Sequence, residues 1–242
     1  MSKALVVGGA NGIGLSIATQ LAKHEEYERV YIVDKSELNS EYANPKFEFI
    51  QFDLKSEDYT IFDGIRDIDT LMITAGFGKL ALFKDVSESY IVNSFAVNSV
   101  APIRVIHHYM DKLMGKEDFR CGIMVSIAGF MSSPFFSIYG ATKAALKIFI
   151  ESVNVELEKN GSNNRILNVS PGSIKGTSFY NGKTNLDAIR ELADEIIAHL
   201  ETKDDLFIPQ YDAVYKEVLA RYNADFRAEG GHSYDYKLNS KR

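Results

Sequence analysis

A doubly wound parallel α/β sheet of about seven strands, with helices on both faces, is the fold this sequence predicts, and three observations carry it. Short β-type runs alternate with helix-length segments from the first residues to about Pro209, the pattern of repeated βαβ units. The first run meets a glycine-rich turn and then a helical segment, Gly8-Gly9-Ala10-Asn11-Gly12-Ile13-Gly14. Asp34 ends the second run, twenty residues beyond Gly14, where sheets of this kind read a bound nucleotide's ribose.

The strands are expected at Ala4–Val7, Val30–Val33, Phe47–Phe52, Thr70–Thr74, Gly122–Ser126, Arg165–Val169 and Leu206–Ile208. Two helical segments, Glu88–Met114 and Tyr139–Glu158, carry apolar residues on more than one stripe. Such a helix needs cover beyond one sheet, and a second subunit is the expected cover. No repeat, linker or low-complexity tract divides the chain. One domain is expected over residues 1–229, closing with a helix through Phe226. A polar tail over 230–242 is expected to be mobile or docked on a neighbour.

Composition narrows the functional classes. The 242 residues are 45% hydrophobic and 25% charged, ordinary for one globular domain with a substantial core. Twenty-seven basic residues against 33 acidic ones leave a charge of −6, and no basic run suits a phosphate backbone. Nucleic acid is therefore not expected as a partner. The opening apolar run meets glycine too soon to span a membrane or form a signal peptide, so a cytoplasmic protein with no membrane partner is expected. Cys121, at the start of a strand-like run, reads as a buried structural thiol. The histidines at 24, 107, 108, 199 and 232 lack zinc-site spacing with acidic or sulfur neighbours, so no metal is expected.

In the glycine turn, residues without a Cβ let the backbone fold tightly and let a pyrophosphate approach N–H groups at a helix N-terminus. Here the sequence resembles the short-chain dehydrogenase/reductase family, whose loop reads Thr-Gly-x-x-x-Gly-x-Gly. Gly8, Gly12 and Gly14 hold the glycine positions, and Val7 stands where the family has a loop-bracing Thr. The resemblance covers about residues 3–180 and implies a Rossmann-type fold binding NAD, with NADP the second candidate. It carries cofactor contacts onto Asn11 and Ile13 of the loop, Asp34, the pair Asp53-Leu54, and Ala75 and Gly76 in Thr74-Ala75-Gly76, where Thr replaces the family's Asn. It adds Pro171, Gly172 and Ile174 of the turn beside the nicotinamide. Thr177 comes one residue later than the commonest spacing.

Tyr139 and Lys143 stand four residues apart in Tyr-Gly-Ala-Thr-Lys, one turn apart on one helix face. A tyrosine titrates near 10 in water, so a phenol working near neutrality needs about 4 kcal/mol of support for its anion, which an ammonium one turn away can supply in part. Ser126 lies thirteen residues before Tyr139, at the expected C-terminal end of a parallel strand, where ligands bind in open α/β sheets. The resemblance implies that Ser126 orients the reacting oxygen, that Tyr139 transfers the proton, and that Lys143 supports Tyr139 and binds the nicotinamide ribose. It further implies that Asn98, in Ala96-Val97-Asn98-Ser99, holds a relay water.

The expected activity is reversible carbonyl/alcohol interconversion with NAD preferred over NADP, because a carboxylate at Asp34 faces a 2′-phosphate with like charge. Phe77, Phe130, Met131, Phe135, Phe136, Phe179 and Tyr180 are expected to flank the pocket and to suit a lipophilic small-molecule substrate, hydroxysteroid-like or 3-oxoacyl-like. A homodimer or homotetramer is expected. A redox-sensing regulator that binds dinucleotide without turnover would need the glycine loop but not Ser126, Tyr139, Lys143 and Asn98. A sugar-nucleotide epimerase would need more chain than 242 residues provide for its substrate domain.

Overall fold

The computed structural model describes every residue except 178, 180–182 and 240–242. Among the described residues, seven strands form one sheet: β1 (Ser2–Val7), β2 (Tyr27–Asp34), β3 (Phe47–Gln51), β4 (Thr70–Ile73), β5 (Arg120–Met124), β6 (Ile166–Val169) and β7 (Leu206–Phe207). They lie in the order β3-β2-β1-β4-β5-β6-β7, and every ladder is parallel. The expected doubly wound sheet is the one observed. Its strand order reverses between β1 and β4, so the chain crosses over on opposite faces from that point and a crevice opens at the strands' C-terminal ends.

The helices are α1 (Gly12–Lys23), α2 (Glu88–Phe95), α3 (Ala101–His108), α4 (Met110–Met114), α5 (Ser137–Lys159), α6 (Leu186–Glu201), α7 (Lys216–Ala224) and α8 (Phe226–Asn239). Alternate residues of each strand point to opposite faces, and this period sorts the core into two layers. Leu5, Val7, Leu71, Ile73, Cys121 and Ile123 pack with Val105 of α3 and Leu146, Ile150 and Leu157 of α5. Ala4, Val6, Val30, Ile32, Met72, Leu167 and Val169 pack with Ile17 and Leu21 of α1 and Ile196 and Leu200 of α6. Cys121 is a buried core thiol, as its setting suggested.

Three expectations change. The strand expected to reach Ser126 ends at Met124, because the Ser126 hydroxyl accepts from Ala128 N at 3.1 Å and starts a short turn over Ile127–Gly129. The helical segment expected over 88–114 is broken: α2 passes into a π-helical turn at Ala96–Val100, where Ala101 N bonds Ala96 O five residues back. Pro102 follows in the first turn of α3. Lacking an N–H, it cannot bond the carbonyl of residue 98, which favours a wider turn just before it.

The third change is the C-terminal stretch, which forms α8 and docks on this chain's own loop before Tyr139. Gly230 packs so closely that a Cβ there would lie 3.1 Å from Ser132 Oγ. Adjacent glycines and a weak apolar stripe make α8 a poor helix by itself. Tertiary contacts therefore hold a segment whose local sequence reads as a tail.

Candidate active site

One cavity of about 1060 Å³ is bordered by the glycine turn, by the strands' C-terminal ends and by residues of α7 and α8. It exceeds the roughly 300–1,000 Å³ typical of a site for one small ligand. Its first wall is built by close backbone approach. Gly8 has φ +86°, and a Cβ there would lie 2.5 Å from Ala75 N. Gly12 has φ +53°, yet a Cβ there would meet nothing nearer than 3.8 Å, so the space above the loop is open. Asn11 opens α1 without a side-chain cap, which leaves first-turn N–H groups for a ligand anion.

The two departures from the family's loop explain each other. Val7 lacks the bracing hydroxyl, but Thr74 stands opposite, its Oγ1 2.9 Å from Gly8 O and 3.2 Å from Val7 O. The brace has moved from β1 to the end of β4, a trade visible only once the two strands are seen side by side.

Asp34 is held at the end of β2 by two backbone donors, Ala10 N to Oδ2 at 3.1 Å and Ser36 N to Oδ1 at 3.0 Å. Each carboxylate oxygen keeps one further acceptor position, so the side chain is aimed at the cavity and able to accept two ribose hydroxyls. Asp53 borders the same cavity, accepting from Lys55 N at 2.9 Å. Gly8, Asn11, Gly12, Ile13, Gly14, Leu54, Ala75, Gly76, Pro171, Gly172, Ile174 and Thr177 border the same cavity. The open turn, the anion-ready helix end and the aimed carboxylate together fit a dinucleotide.

At the middle of the cavity, α5 lies directly on the turn after β5. A Cβ on Gly129 would come within 2.8 Å of Lys143 C, so this glycine sets the depth to which the helix settles. The result aligns Ser126, Tyr139 and Lys143 along the cavity wall. Lys143 is 2% exposed, and its Nζ donates to Met124 O at 2.8 Å and lies 5.7 Å from the Tyr139 ring centre. Burial pushes its ammonium down to about 7. Ser126 Oγ stands 3.4 Å from Pro171 O, between the turn and the residues expected beside a nicotinamide.

Asn98 is fully buried beneath this wall, in the π-helical turn. Its Nδ2 donates to Phe77 O at 2.8 Å and to Thr142 Oγ1 at 3.2 Å, and its Oδ1 accepts from Phe77 N at 3.0 Å. It braces the backbone after Gly76 against α5, a structural part that resemblance alone did not suggest. A Cβ on Gly76 would lie 3.3 Å from Lys143 Nζ and 3.4 Å from Asn98 Oδ1, so both groups converge on one point.

Several contributors escaped the sequence reading. Thr142 Oγ1 links Asn98 to Tyr139 O, to which it donates at 2.7 Å, and Ser99 Oγ donates to Thr142 O at 2.9 Å. Thr184 Oγ1 accepts from Gly12 N across 172 residues of chain. Only Ser99 had a nearby signal, Pro102 three residues on, which marks the widened turn that holds it. Of the expected apolar flank, Phe77, Met131, Phe136 and Phe179 border the cavity. Phe130 instead lies under the Lys147 ammonium and Phe135 stacks on Tyr234, while Tyr180 lies outside the described residues. Leu80, Val214 and Val218 add apolar wall.

Among the described residues, His24, Glu26 and Glu201 come within 4.8 Å of one another at an exposed site away from the cavity. Glu26 is already paired with Arg120 at 3.0 Å. No helix among the described residues is long and apolar enough to cross a membrane.

Comparison with known proteins agrees with this geometry. An uncharacterized oxidoreductase of Bacillus subtilis, YvaG, is 29% identical over 181 residues, 70% of this chain and 67% of the relative. The 17-beta-hydroxysteroid dehydrogenase type 1 of Homo sapiens is 25% identical over 182 residues, covering 69% of this chain and 56% of that protein. A solved short chain dehydrogenase from Burkholderia cenocepacia in complex with NADP superposes with a TM-score of 0.78 at 20% identity, covering 96% of this chain and 97% of its own. The family model for short chain dehydrogenase matches residues 2–187, and the chain belongs to that family.

Proposed function

We propose that this chain is a nicotinamide-dependent oxidoreductase that interconverts a carbonyl and a secondary alcohol on a lipophilic substrate, with NAD preferred and Tyr139 as its acid/base. The observation that carries this reading is the convergence of Tyr139, Lys143 and Ser126 on the cavity that the glycine turn opens. When bound, the dinucleotide supplies the hydride donor or acceptor. Tyr139 gives a proton to the nascent alkoxide in reduction and takes the alcohol proton in oxidation. Ser126 orients the reacting oxygen by hydrogen bonding. Lys143 favours the Tyr139 phenolate when charged and offers its ammonium to a ribose. Asn98 holds the backbone that seats both and supports a relay water.

The apolar wall of Phe77, Leu80, Met131 and Phe136 and the human hydroxysteroid relative support a steroid-like ketone or alcohol first and a 3-oxoacyl thioester second. A panel of such compounds with NAD and NADP tests the reading by absorbance. Tight dinucleotide binding without turnover on any of them would favour a regulator instead.

Asp34 supports the NAD preference. Wild type is expected to favour NAD in kcat/KM by at least about tenfold, since two like charges at close range cost one to several kcal/mol. Asp34→Ala should collapse that ratio. Losing the bond from Ala10 N affects both cofactors alike and cancels in it. A wild-type preference for NADP, or an unchanged ratio, would show that Asp34 does not read the ribose.

Apolar side chains on α2, the π-helical turn and α5 support a homodimer or homotetramer: Val92 is 62% exposed, Val100 50%, Ile148 58% and Val155 57%. Light scattering at micromolar concentration should give a multiple of 27.1 kDa. A monomer would end this assembly reading.

A further inference from the structure

The loop between Ser126 and Tyr139 carries an unusual backbone conformation. Phe135 has φ +67°, a left-handed conformation that costs a bulky residue about 1–2 kcal/mol. Three fasteners hold it. Ala81 N donates to Phe135 O at 2.9 Å. The Phe135 ring stacks on Tyr234 of α8 with centres 4.8 Å apart. Lys237 Nζ donates to Ser133 Oγ at 2.7 Å and to Pro134 O at 2.8 Å, just before Phe135 in the chain, and lies 5.5 Å over the Phe136 ring just after it.

Lys237 is half-buried and borders the cavity together with Ser133, Phe136 and Ser233. Burial holds its ammonium down to about 8. Desolvating a charge is unfavourable, so its hydrogen bonds to the loop bear directly on where α8 sits. The loop it grips leads straight into α5, whose first turn presents Tyr139.

We propose that Lys237 is a positioning residue for the substrate half of the site, fastening α8 to the loop over residues 132–136 and thereby fixing the wall against which a substrate is seated. This rests on the function proposed above in requiring a substrate there, and on the geometry alone in requiring a clamp. The ammonium acts through the loop and takes no part in proton or hydride movement. The partners of the Lys237 ammonium, Ser133, Pro134 and the Phe136 ring, are none of the residues assigned to the dinucleotide, so dinucleotide affinity is not coupled to the clamp.

The test compares wild type, Lys237→Met, which keeps the apolar stem, and Lys237→Arg, which keeps donors. Amide hydrogen exchange of the full chain reads the clamp without turnover. In Lys237→Met, exchange over 130–137 and 226–239 should quicken by about tenfold or more, as local opening loses charge-assisted bonds, while the sheet is unchanged. Arg should restore most of the protection. With an active alcohol or ketone, Lys237→Met should raise KM by about tenfold, with kcat and dinucleotide Kd within about twofold. Unchanged exchange in both segments overturns the clamp. Faster exchange with unchanged KM, or an equal loss of dinucleotide affinity, overturns the positioning role. If wild type turns over no substrate, the function proposed above fails, while the exchange comparison still decides the clamp.

Discussion

Tyr139→Phe is expected to lower turnover by about 10²- to 10⁴-fold, the usual range for removing a general acid/base, while dinucleotide affinity stays within about twofold. The substitution deletes one oxygen and keeps the ring. That ring packs against Phe136 and Phe179, with centres 5.6 and 5.3 Å away, and lies 5.7 Å from Lys143 Nζ. These contacts survive, so the fold and the cavity wall should survive with them. Steady-state kinetics in both directions, with fluorescence titration of the dinucleotide, separate chemistry from binding. Near-normal turnover would sink the assigned role. A parallel collapse of dinucleotide affinity would instead place the phenol in the binding wall.

Lys143→Met is expected to abolish activity and yet stabilise the protein when no dinucleotide is present. Methionine matches lysine closely in helix propensity and in length of apolar stem. Lys143 is a base whose folded value, about 7, lies well below its ordinary value of 10.5. The unfolded chain therefore binds more protons than the folded one between those values, and stability rises with pH across that window. Below about pH 7 the folded state carries the full cost of the buried charge, an upper bound on the order of 5 kcal/mol. Losing the bond to Met124 O offsets about 1–2 kcal/mol of the gain. Urea unfolding at pH 6 should thus show the mutant more stable by up to about 3–4 kcal/mol, with a smaller advantage at pH 9.5. A less stable mutant at pH 6, or an advantage that grows with pH, would contradict the argument. The wild-type residue is then one that costs stability and is kept for chemistry.

The two substitutions probe opposite halves of one pair, which bears on what could be read before the fold was known. Tyr139 and Lys143 are local: four residues on a helix share a face whatever surrounds them. Gly8, Gly12 and Gly14 are local in the same sense, because the turn needs the conformational freedom that glycine alone has in full. Asp34 is nearly so, being placed by the length of one βα unit. Strand alternation extends this legibility to the sheet, whose two core layers follow from a period of two.

Distance along the chain is where that reading stops. The brace lost at Val7 and recovered at Thr74 joins two strands that pair only in the sheet. Thr184 reaches Gly12 across nearly the whole domain, and Thr142 ties Asn98 to Tyr139 through a π-helical turn whose width depends on Pro102. Helix α8 marks the boundary best. With Gly230 and Gly231 at its centre, its own residues favour coil, and its helical state depends on Ser132, Pro134 and Phe135, a hundred residues away. The sheet, the glycine turn and the Tyr/Lys pair are legible in the chain alone, because each rests on short-range periodicity or steric freedom. Tertiary structure alone decided which hydroxyls brace the loop, how deeply Lys143 is buried and what closes the substrate end, because those energies arise between segments that are neighbours only after folding.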